Sequence, residues 1–423
     1  MSDFSLTNCT VAVLGAGRSG RAAQALAEAR GGKVTLYDSR EQEGAICLSL
    51  EEARKTRHDL VVISPGIAVE SEFAQAFVAG AGELIGEIEL AARCFDGGVI
   101  GITGTNGKTT TTELVAELMR GAGLTCEPCG NYGVPFSEIA LWAEPPETVA
   151  LELSSFQLET IDTFRPEVAL WLNFSPDHMD RYQSVEDYRR AKEMIFRNLT
   201  SGLVAVVREG EKVATRDAQV RYFAESDCPV PIRETPLRGR HNAENLAAAW
   251  LGVTAFFEVE GAINPLKAAD VPRILENYQP PAHRCQFVAE VAGVEYINDS
   301  KATNLHALQA ALKSFDEPIV LLFGGKEKGL DYAPLAPVLE AKARLAIAFG
   351  EIGPALAAQF GAHLPVTVVD GLAEAVQLAA DQSEKGELVL LSPGTSSFDQ
   401  FPNYEARGAA FCEAVNCLTP SLS

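Results

Sequence analysis

Two adjacent residues in the segment GITGTNGKTTTTELV, Lys108 and Thr109, have the side chains that bind a nucleotide phosphate and a magnesium ion. β-branched residues before the turn predict a strand, and apolar residues at helical spacing after it predict a helix. Backbone N–H groups at such a helix start would face an anion. The ammonium of Lys108 would reach the β- and γ-phosphates, and the hydroxyl of Thr109 would bind Mg²⁺. The segment therefore predicts a nucleoside triphosphate site.

The spacing of this segment departs from the standard phosphate loop, GxxxxGK[ST], by one residue. Counting back five places from Gly107 reaches Ile102, and Gly101 lies one place further. The alternative interpretation is an ordinary strand-turn-helix connection, since Gly and Thr are common in turns. The Lys-Thr pair directly after Gly107 favours the nucleotide interpretation.

Acidic and imidazole side chains at the ends of two later apolar strands are candidates for a metal site. Glu152 lies near the end of the strand TVALEL, where phosphate-loop folds supply an acidic ligand to magnesium. A carboxylate in an apolar strand is costly unless it has a partner. The strand VALWLNF leads into Asp177, His178 and Asp180, which are either capping residues of a structural loop or part of the site. The position of this loop beside Glu152 in a parallel sheet favours a functional role for His178.

Lys192, Asn242 and Asn245 lie on two predicted helices. By composition alone, Lys192 in VEDYRRAKEMIFRNL is interpreted as a solvated surface residue. Asn242 and Asn245 lie in the first turns of the helix that starts at RHNAENLAAAW. They are either helix caps or contacts to a nucleotide base.

A second candidate phosphate site, GAGRSG, follows the strand VAVL near the start of the chain, and Asp38 ends the next strand, VTLYD. This is the dinucleotide-binding pattern in its expected strand and helix context. It makes a nicotinamide or flavin oxidoreductase a competing hypothesis, although a dehydrogenase does not need a second phosphate loop. Ser64, Pro65 and Gly66 end another apolar strand, either as a simple turn or as ligand contacts.

A dense polar cluster follows a predicted hairpin around Ala292 and Gly293. Its members are Asn298, Asp299, Ser300, Lys301, Thr303 and Asn304, directly before the predicted helix LHALQAAL. So many hydrogen-bonding groups at one strand end favour a ligand site over a plain turn. The final strand, ELVLLSPG, leads into another polar loop, TSSFDQFPNYEARG.

Strands alternate with helices along the chain and predict an α/β protein with mainly parallel sheets. With 423 residues and 47% hydrophobic residues, the chain is long enough for several hydrophobic cores. Breaks in the pattern near residues 94–98 and 278–283 predict domain boundaries. The predicted domains are residues 1–96, 97–281 and 282–423.

Charge and composition restrict the partners. The net charge of −22 disfavours nucleic acid or a membrane surface, because both would need a basic face. The absence of a signal-type segment and of a bilayer-length apolar run predicts a cytoplasmic protein with reduced cysteines. Cys126 and Cys129 have metal or redox spacing. Without a second pair or a His at zinc spacing, we interpret them as buried or incidental thiols.

Seven motifs together resemble those of the Mur ligases, in that family's order and across essentially the whole chain. The motifs are GTNGKTT, LELSSFQL, LNFSPDHMDRY, GRHNAENLAAA, HRCQF, NDSKATN and SPGTSSFDQF. The displaced spacing of GTNGKT is that family's own version of the ATP loop. LSSFQL, NDSKATN and the last motif resemble the branch of the family that adds D-glutamate.

The resemblance implies three α/β domains and ATP-dependent amide formation. The implied domains are an N-terminal Rossmann-like domain for a UDP-substrate, a central P-loop-type ATPase domain and a C-terminal Rossmann-like domain. The γ-phosphate would pass to the L-alanine carboxylate of UDP-N-acetylmuramoyl-L-alanine, and the amine of D-glutamate would attack the resulting acyl phosphate. ATP, two Mg²⁺ ions and these small molecules are the implied ligands of a monomeric, cytoplasmic enzyme of peptidoglycan precursor synthesis.

The resemblance also implies the residues that bind ATP and metal. The implied ATP-binding residues are Gly104, Thr105, Asn106, Gly107, Lys108, Thr109, Thr110, Asn245, Arg284 and Asp299. The implied metal ligands are Thr109, Glu152, His178 for the second magnesium, and Lys192 as a carbamate formed with carbon dioxide. Lys108, Glu152, His178 and Lys192 are the implied catalytic residues.

Two further sets of residues are implied for the UDP-substrate and the acceptor. The implied UDP-substrate residues are Arg18, Ser19, Ser39, Arg40, Ser64, Gly66, Asn131 and Ser154. The implied D-glutamate residues are Lys301, Thr303, Lys328, Ser397 and Tyr404. A cation and hydroxyl donors suit a dicarboxylate. Tyr404 stands where Phe is more frequent in the family, and GGKEKG leaves the choice between Lys326 and Lys328 open.

Three alternative functions remain open at this point. A folate-polyglutamate type ligase shares the ATP loop but should lack a complete UDP-binding first domain. A dehydrogenase would bind a nicotinamide cofactor at GAGRSG. A non-catalytic nucleotide-binding regulator would have no use for Glu152, His178 and Lys192 together. For a ligase, we expect the third domain to close over the second about residues 278–283 during turnover.

Overall fold

The computed structural model describes residues 4–179, 181–215 and 217–418. Asp180, one of the acidic residues considered above, lies outside the described residues. The chain forms two compact units. One comprises the chain up to Val230 together with Glu244–Ile274, and the other comprises Pro231–Ala243 and the chain from Leu275 onward. The three-domain boundaries given above stay a prediction.

The first sheet has four parallel strands in the order β2-β1-β3-β4. The strands are β1 Thr10–Leu14, β2 Lys33–Tyr37, β3 His58–Ile63 and β4 Ala81–Gly86, and the helices are α1 Arg18–Ala29, α2 Leu50–Ala53, α3 Glu72–Val78 and α4 Glu87–Cys94. The chain passes from β1 to β2 on one side of the sheet and then continues with β3 and β4 on the other side, so the strand order reverses between β1 and β3. The loops after these two strands therefore border the crevice in which open α/β sheets bind ligands.

The second sheet has six parallel strands in the order β10-β9-β8-β5-β7-β6. The strands are β5 Gly98–Thr103, β6 Cys126–Gly130, β7 Thr148–Glu152, β8 Val168–Trp171, β9 Val204–Arg208 and β10 Gln219–Phe223. The helices are α5 Lys108–Gly121, α6 Phe136–Ile139, α7 Ser155–Leu158, α8 Val185–Glu193, α9 Arg240–Val259 and α10 Val271–Ile274. Since β7 and β8 flank β5, the loops after these three strands meet at one edge of the sheet.

The third sheet has six strands in the order β11-β12-β16-β13-β14-β15. The strands are β11 Gln286–Val291, β12 Val294–Asn298, β13 Ile319–Gly324, β14 Ala343–Phe349, β15 Val366–Val369 and β16 Leu388–Leu391. The helices are α11 Leu305–Lys313, α12 Ala336–Lys342, α13 Gly353–Phe360, α14 Leu372–Gln382 and α15 Tyr404–Leu418. Only the β11–β12 pair is antiparallel among the described strands of this sheet. Its turn residues, Ala292 and Gly293, have φ angles of 54° and 82°, as a two-residue hairpin requires, which confirms the predicted hairpin.

The apolar strands form the cores that the sequence pattern predicts. The first two sheets share one hydrophobic core, and the third sheet is covered on its two faces by separate clusters. All nine cysteines are free. Cys126 and Cys129 are buried, and burial raises the pKa of Cys126 to about 11, which confirms their interpretation as buried thiols. Among the described residues, no helix combines the length and the apolar character that a membrane crossing requires.

Candidate active site

The loop between β5 and α5 has the tight backbone that a phosphate site needs. Gly107 has a φ of 82° directly before Lys108, the first residue of α5. A Cβ built at Gly107 would lie only 2.4 Å from Oδ1 of Asn245, so the loop has room for glycine alone at this place. Asn245, which the family resemblance assigns to the adenine, thus lies against the loop.

The loop that follows β8 is fastened to the phosphate loop by side-chain hydrogen bonds. The N–H of Asn106 donates to Oδ1 of Asn173 at 2.9 Å, and Nδ2 of Asn173 donates to the carbonyl oxygen of Asn106 at 3.1 Å. Oγ1 of Thr105 donates to the carbonyl oxygen of Ser175 at 3.1 Å. Sequence reasoning missed Asn173 and Ser175, although both lie in the polar stretch directly after an apolar strand.

The side-chain nitrogens of two lysines meet at the phosphate loop. Nζ of Lys108 and Nζ of Lys192 each donate to the carbonyl oxygen of Gly104 at 2.9 Å. Lys192 is only 2% exposed, so its interpretation as a solvated surface residue is wrong: this position of α8 faces the sheet edge. Burial and the charge of Lys108 together lower the pKa of Lys192 to about 6. Lys192 is therefore largely a neutral amine at neutral pH.

Glu152 provides a buried carboxylate beside the same loop. It is 2% exposed at the end of β7 and pairs with Ile102 of β5. Its Oε1 accepts a hydrogen bond from Nδ2 of Asn131 at 2.7 Å. Its Oε2 is buried and has no hydrogen-bond partner among the described residues. A buried carboxylate oxygen without a partner is costly, and a magnesium ion is a partner that it fits.

Asn131, which the resemblance assigns to the UDP-sugar, has a contact within the chain. Its side chain donates to Glu152, and its assignment to the UDP-sugar stays a prediction. Its backbone N–H also donates to the carbonyl oxygen of Glu152 at 2.9 Å. A role in positioning the acidic group is therefore supported directly by contacts within the chain.

His178 lies in the loop after β8 with an exposed side chain. Its φ is 56°, and its ring packs 5.0 Å from that of Phe156 and 5.8 Å from that of Tyr188. Its Nε2 lies 3.8 Å from Oδ2 of Asp177. Among the described residues, no three His, Cys, Asp or Glu side chains are grouped so that they could hold a metal ion by themselves. The described contacts do not join His178 to Glu152, and its assignment to a second magnesium stays a prediction.

Arg181 connects the loop of His178 to the first sheet. Nη2 of Arg181 donates to Oε2 of Glu159 at 2.7 Å, and Nη1 donates to the carbonyl oxygen of Pro65 at 3.2 Å. The hydroxyl of Tyr182 donates to the same carboxylate of Glu159. The loop that follows β3 is thus tied to the loop that follows β8, a link that no local pattern in the sequence revealed.

Most of the predicted UDP-substrate residues lie at the loops of the first sheet, whereas Asn131 and Ser154 follow strands of the second sheet. Nη1 of Arg18 donates to the carbonyl oxygen of Gly133 at 2.7 Å, in the turn that begins at Asn131. Ser64 is buried, and its Oγ donates to the carbonyl oxygen of Gly15 at 3.4 Å. Ser154 caps α7, since its Oγ accepts from the N–H of Gln157. Ser39, Arg40 and Gly66 are exposed, and Ser19 is half-buried.

Asp38, the acidic residue of the dinucleotide pattern, is engaged by the backbone. Its Oδ2 accepts from the N–H of Ala16 at 2.8 Å, and its Oδ1 accepts from the N–H of Arg40 at 3.0 Å. In dinucleotide-binding sites, the corresponding carboxylate binds a ribose hydroxyl. Here it organises the loop after β1.

The second unit buries the acidic residue of its polar cluster. Asp299 is 8% exposed; its Oδ2 accepts from Oγ of Ser392 at 2.9 Å, and its Oδ1 accepts from the N–H of Cys285 at 3.2 Å. Burial raises the pKa of Asp299 to about 7, against the effect of these hydrogen bonds and of the charge of Arg284. Arg284 itself is exposed.

Two of the predicted D-glutamate residues contact each other. Nζ of Lys301 donates to the hydroxyl of Tyr404 at 2.7 Å and lies 4.1 Å from the centre of its ring. Ser397 is 2% exposed, and Thr303 is half-buried. Of the two lysines in GGKEKG, Lys326 pairs with Glu351 at 2.8 Å, whereas Lys328 is exposed.

The fold and these contacts define the class of protein. It is an α/β protein with a phosphate-binding type of loop beside a buried acidic group, and it has a second α/β unit. The family models agree with that class. The Mur ligase middle domain matches residues 102–225, and the Mur ligase glutamate ligase domain matches residues 283–394. The chain belongs to the Mur ligase family.

Relatives extend the match over almost the whole chain. A UDP-N-acetylmuramoylalanine–D-glutamate ligase from Salinibacter ruber is 36% identical, over 96% of this chain and 97% of its own. A protein of the same name from Geobacter metallireducens is 37% identical, over 96% of this chain and 97% of its own. The structure of MurF ligase from Thermotoga maritima in complex with ADP has a TM-score of 0.59 at 14% identity. It covers 99% of this chain and 97% of its own, which shows a shared fold.

Proposed function

We propose that this chain is an ATP-dependent ligase that adds D-glutamate to UDP-N-acetylmuramoyl-L-alanine. The observation that carries the proposal is Glu152, whose buried Oε2 lacks a partner among the described residues, beside a loop shaped for phosphate. The identity of the acceptor follows the names of the relatives, which match the chain almost end to end. The same proposal places the enzyme in the cytoplasm, where ATP is available, as a monomer.

The chain's own groups supply positioning and charge for the chemistry. The helix start at Lys108 and the ammonium of that residue would face the phosphates of ATP. Glu152 and Thr109 would hold Mg²⁺, which neutralises charge on the phosphate oxygens. The L-alanine carboxylate attacks the γ-phosphorus, ADP leaves, and an acyl phosphate forms. The D-glutamate amine then attacks the acyl carbon, the C–O bond to phosphate breaks, and the ammonium that forms loses a proton.

Lys192 is the proposed site of a carbamate. Its side chain is buried, and its Nζ donates to the carbonyl oxygen of Gly104. A neutral amine attacks carbon dioxide, forms a C–N bond and loses a proton, so the product is an anion. Such an anion would be attracted by the ammonium of Lys108, whereas a protonated Lys192 would be repelled by it. His178 would act at a second magnesium in the same proposal.

The remaining assignments follow the sequence motifs. Arg18 and the loops after β1 and β3 are proposed for the UDP-substrate, and their position at the switch point of the first sheet supports this. Lys301, Thr303, Ser397 and Tyr404 are proposed for D-glutamate. The ion pair of Lys326 with Glu351 favours Lys328 as the lysine that is available to the acceptor.

The alternatives have less support. A dehydrogenase is disfavoured because the matching family models are Mur ligase domains and the relatives that match almost the whole chain are ligases by name. A folate-polyglutamate type ligase is disfavoured because relatives that match the first sheet as well as the rest of the chain are D-glutamate ligases by name. A non-catalytic regulator is disfavoured because a buried carboxylate, Glu152, and a buried amine, Lys192, both lie beside one loop.

The test is phosphate release from ATP and Mg²⁺ in the presence of UDP-N-acetylmuramoyl-L-alanine. D-glutamate, L-glutamate and other amino acids are compared as acceptors, and the product is identified by mass spectrometry. We expect release that requires D-glutamate and yields the coupled product. Binding of ATP without release for any acceptor would reject the ligase in favour of a regulator.

A further inference from the structure

Arg407 is the charged residue of the second unit that lies deepest in the protein. It belongs to α15 and is 0% exposed. Burying a guanidinium is expensive unless hydrogen bonds satisfy it, and a buried arginine is uncommon without a specific role. Burial lowers the pKa of Arg407 to about 10, so the side chain stays charged at neutral pH.

The guanidinium joins loops from neighbouring strands of the third sheet. Its Nε donates to Oγ of Ser300 at 3.0 Å, and its Nη2 donates to the carbonyl oxygen of Ser300 at 2.9 Å. Nη1 and Nη2 both donate to the carbonyl oxygen of Thr395 at 3.1 Å. A Cβ built at Gly325 would lie 3.1 Å from Nη1, so the loop after β13 also passes against the guanidinium. The side chain is therefore a planar fork between the ends of β12, β16 and β13.

Each of these three loops carries a residue that is proposed for the acceptor. Lys301 directly follows Ser300, Ser397 lies two places after Thr395, and Lys328 lies three places after Gly325. Tyr404, the partner of Lys301, starts the same helix that carries Arg407, and its carbonyl oxygen accepts from Oγ of Ser300 at 2.9 Å. One buried side chain thus forms hydrogen bonds to two of these loops, lies against the third and belongs to the helix that Tyr404 starts.

We propose that Arg407 is a positioning residue that sets the geometry of the D-glutamate pocket; the inference rests on the function proposed above. It acts through Ser300 and Thr395 and does not touch the acceptor. Its hydrogen bonds go to neutral acceptors on Ser300 and Thr395, and an apolar side chain at this place would leave those buried carbonyl oxygens without donors. The planar guanidinium can contact all three loops at once. Lysine has no planar set of donors, which explains why an arginine occupies this position.

The proposed role of Arg407 concerns the binding of D-glutamate and not the binding of the other two substrates. Asp299, proposed for ATP, accepts hydrogen bonds from Ser392 and Cys285, and its interaction with the guanidinium is electrostatic. Loss of the fork should therefore raise the KM for D-glutamate about tenfold or more, while the KM for ATP and for the UDP-substrate changes by less than about threefold. It should also weaken the preference for D-glutamate over L-glutamate, because distinguishing enantiomers requires fixed loops.

The experiment compares initial rates of D-glutamate-dependent phosphate release for the wild type, Arg407→Lys and Ser300→Ala. Arg344→Lys is the matched control, since Arg344 pairs with Glu387 at the amino-terminal edge of the same sheet. Folding of each variant is checked by thermal unfolding. A rise in the KM for D-glutamate in Arg407→Lys, absent from Arg344→Lys, supports the inference.

Three outcomes would overturn it. The first is a folded Arg407→Lys with an unchanged KM for D-glutamate, and the second is an equal rise in KM for all substrates. If Arg407→Lys does not fold, Ser300→Ala decides, because it removes the acceptor of Nε together with the hydrogen bond from the same hydroxyl to the carbonyl oxygen of Tyr404. An unchanged KM for D-glutamate in that variant is the third outcome. A wild type that shows no D-glutamate-dependent release rejects the proposed function, and the inference with it.

Discussion

Nζ of Lys192 donates to the carbonyl oxygen of Gly104, at 2.9 Å, from a position that is 2% exposed. The same oxygen accepts from Lys108 at 2.9 Å. The phosphate loop therefore holds two amines at one carbonyl, and only Lys108 belongs to the loop itself. Lys192 comes from α8, 88 residues further along the chain. The protonation or modification of Lys192 should therefore affect the binding of ATP at this loop.

Replacement of Lys192 by arginine should abolish most of the activity. Arginine keeps a positive charge and cannot form the carbamate, so we expect phosphate release to fall by about a hundredfold or more. In protein equilibrated with ¹³C-bicarbonate, ¹³C NMR should show a carbamate carbon in the wild type and none in Lys192→Arg. Arg190→Lys is the control, because its exposed side chain lies on the same helix. A wild type with full activity and no carbamate signal would refute the role of the modification.

Replacement of Asn131 by alanine should alter the response to magnesium more than the response to the UDP-substrate. The change removes the donor to Oε1 of Glu152 at 2.7 Å and frees the carboxylate to rotate. Losing a residue that orients a metal ligand weakens metal affinity by about 10–100-fold. The measurement is the rate of phosphate release over a magnesium titration, with Tyr132→Phe as the control at the neighbouring position. If only the KM for the UDP-substrate rises, the contact to the UDP-sugar implied by the sequence is the correct one.

Side chains at strand ends were predictable from the sequence, and their partners were not. Lys108 and Glu152 were identified because their types follow apolar strands, and parallel strands bring their carboxyl ends to one edge. The partners Asn131 and Asn173 lie 21 and 67 residues from the groups that they hold, so no local pattern reveals the pairing. Arg407 was missed for the same reason, since its contact to Ser300 spans 107 residues. Parallel order and helix positions follow from periodicity, whereas such contacts depend on which strands become neighbours.

Replacement of Gly20 by alanine should destabilise the first sheet. A Cβ there would lie 1.7 Å from the carbonyl oxygen of Gly15, so α1 would have to move away from the loop after β1. Such overpacking typically costs about 1–3 kcal/mol, and backbone atoms cannot yield as a flexible side chain can. Thermal unfolding measures the effect. Gly17→Ala is the matched control in the same motif, because no atom lies within 4 Å of the position that its methyl group would take. Equal melting temperatures for the two variants would contradict the close packing.

Replacement of Asp299 by asparagine should change how stability depends on pH. Burial raises the pKa of Asp299 to about 7, whereas an aspartate in an unfolded chain titrates near pH 4. Between these values the folded state keeps a proton that the unfolded state has lost. The stability that this carboxyl contributes is therefore fully present below about pH 4 and is lost as pH rises through about 7.

Asparagine does not titrate. The free energy of unfolding of Asp299→Asn, relative to that of the wild type, should therefore increase between about pH 4 and pH 7 and then level off. The slope should not exceed about 1.4 kcal/mol per pH unit, which is the limit for one proton. Urea denaturation at several pH values measures the difference. Ser392→Ala provides a second check: it removes a hydrogen bond to the ionised carboxylate, which raises the pKa of Asp299 further and shifts the window upward. A difference between wild type and Asp299→Asn that is the same at every pH would show that the carboxyl titrates normally, and the buried acid would then be ionised in the folded protein.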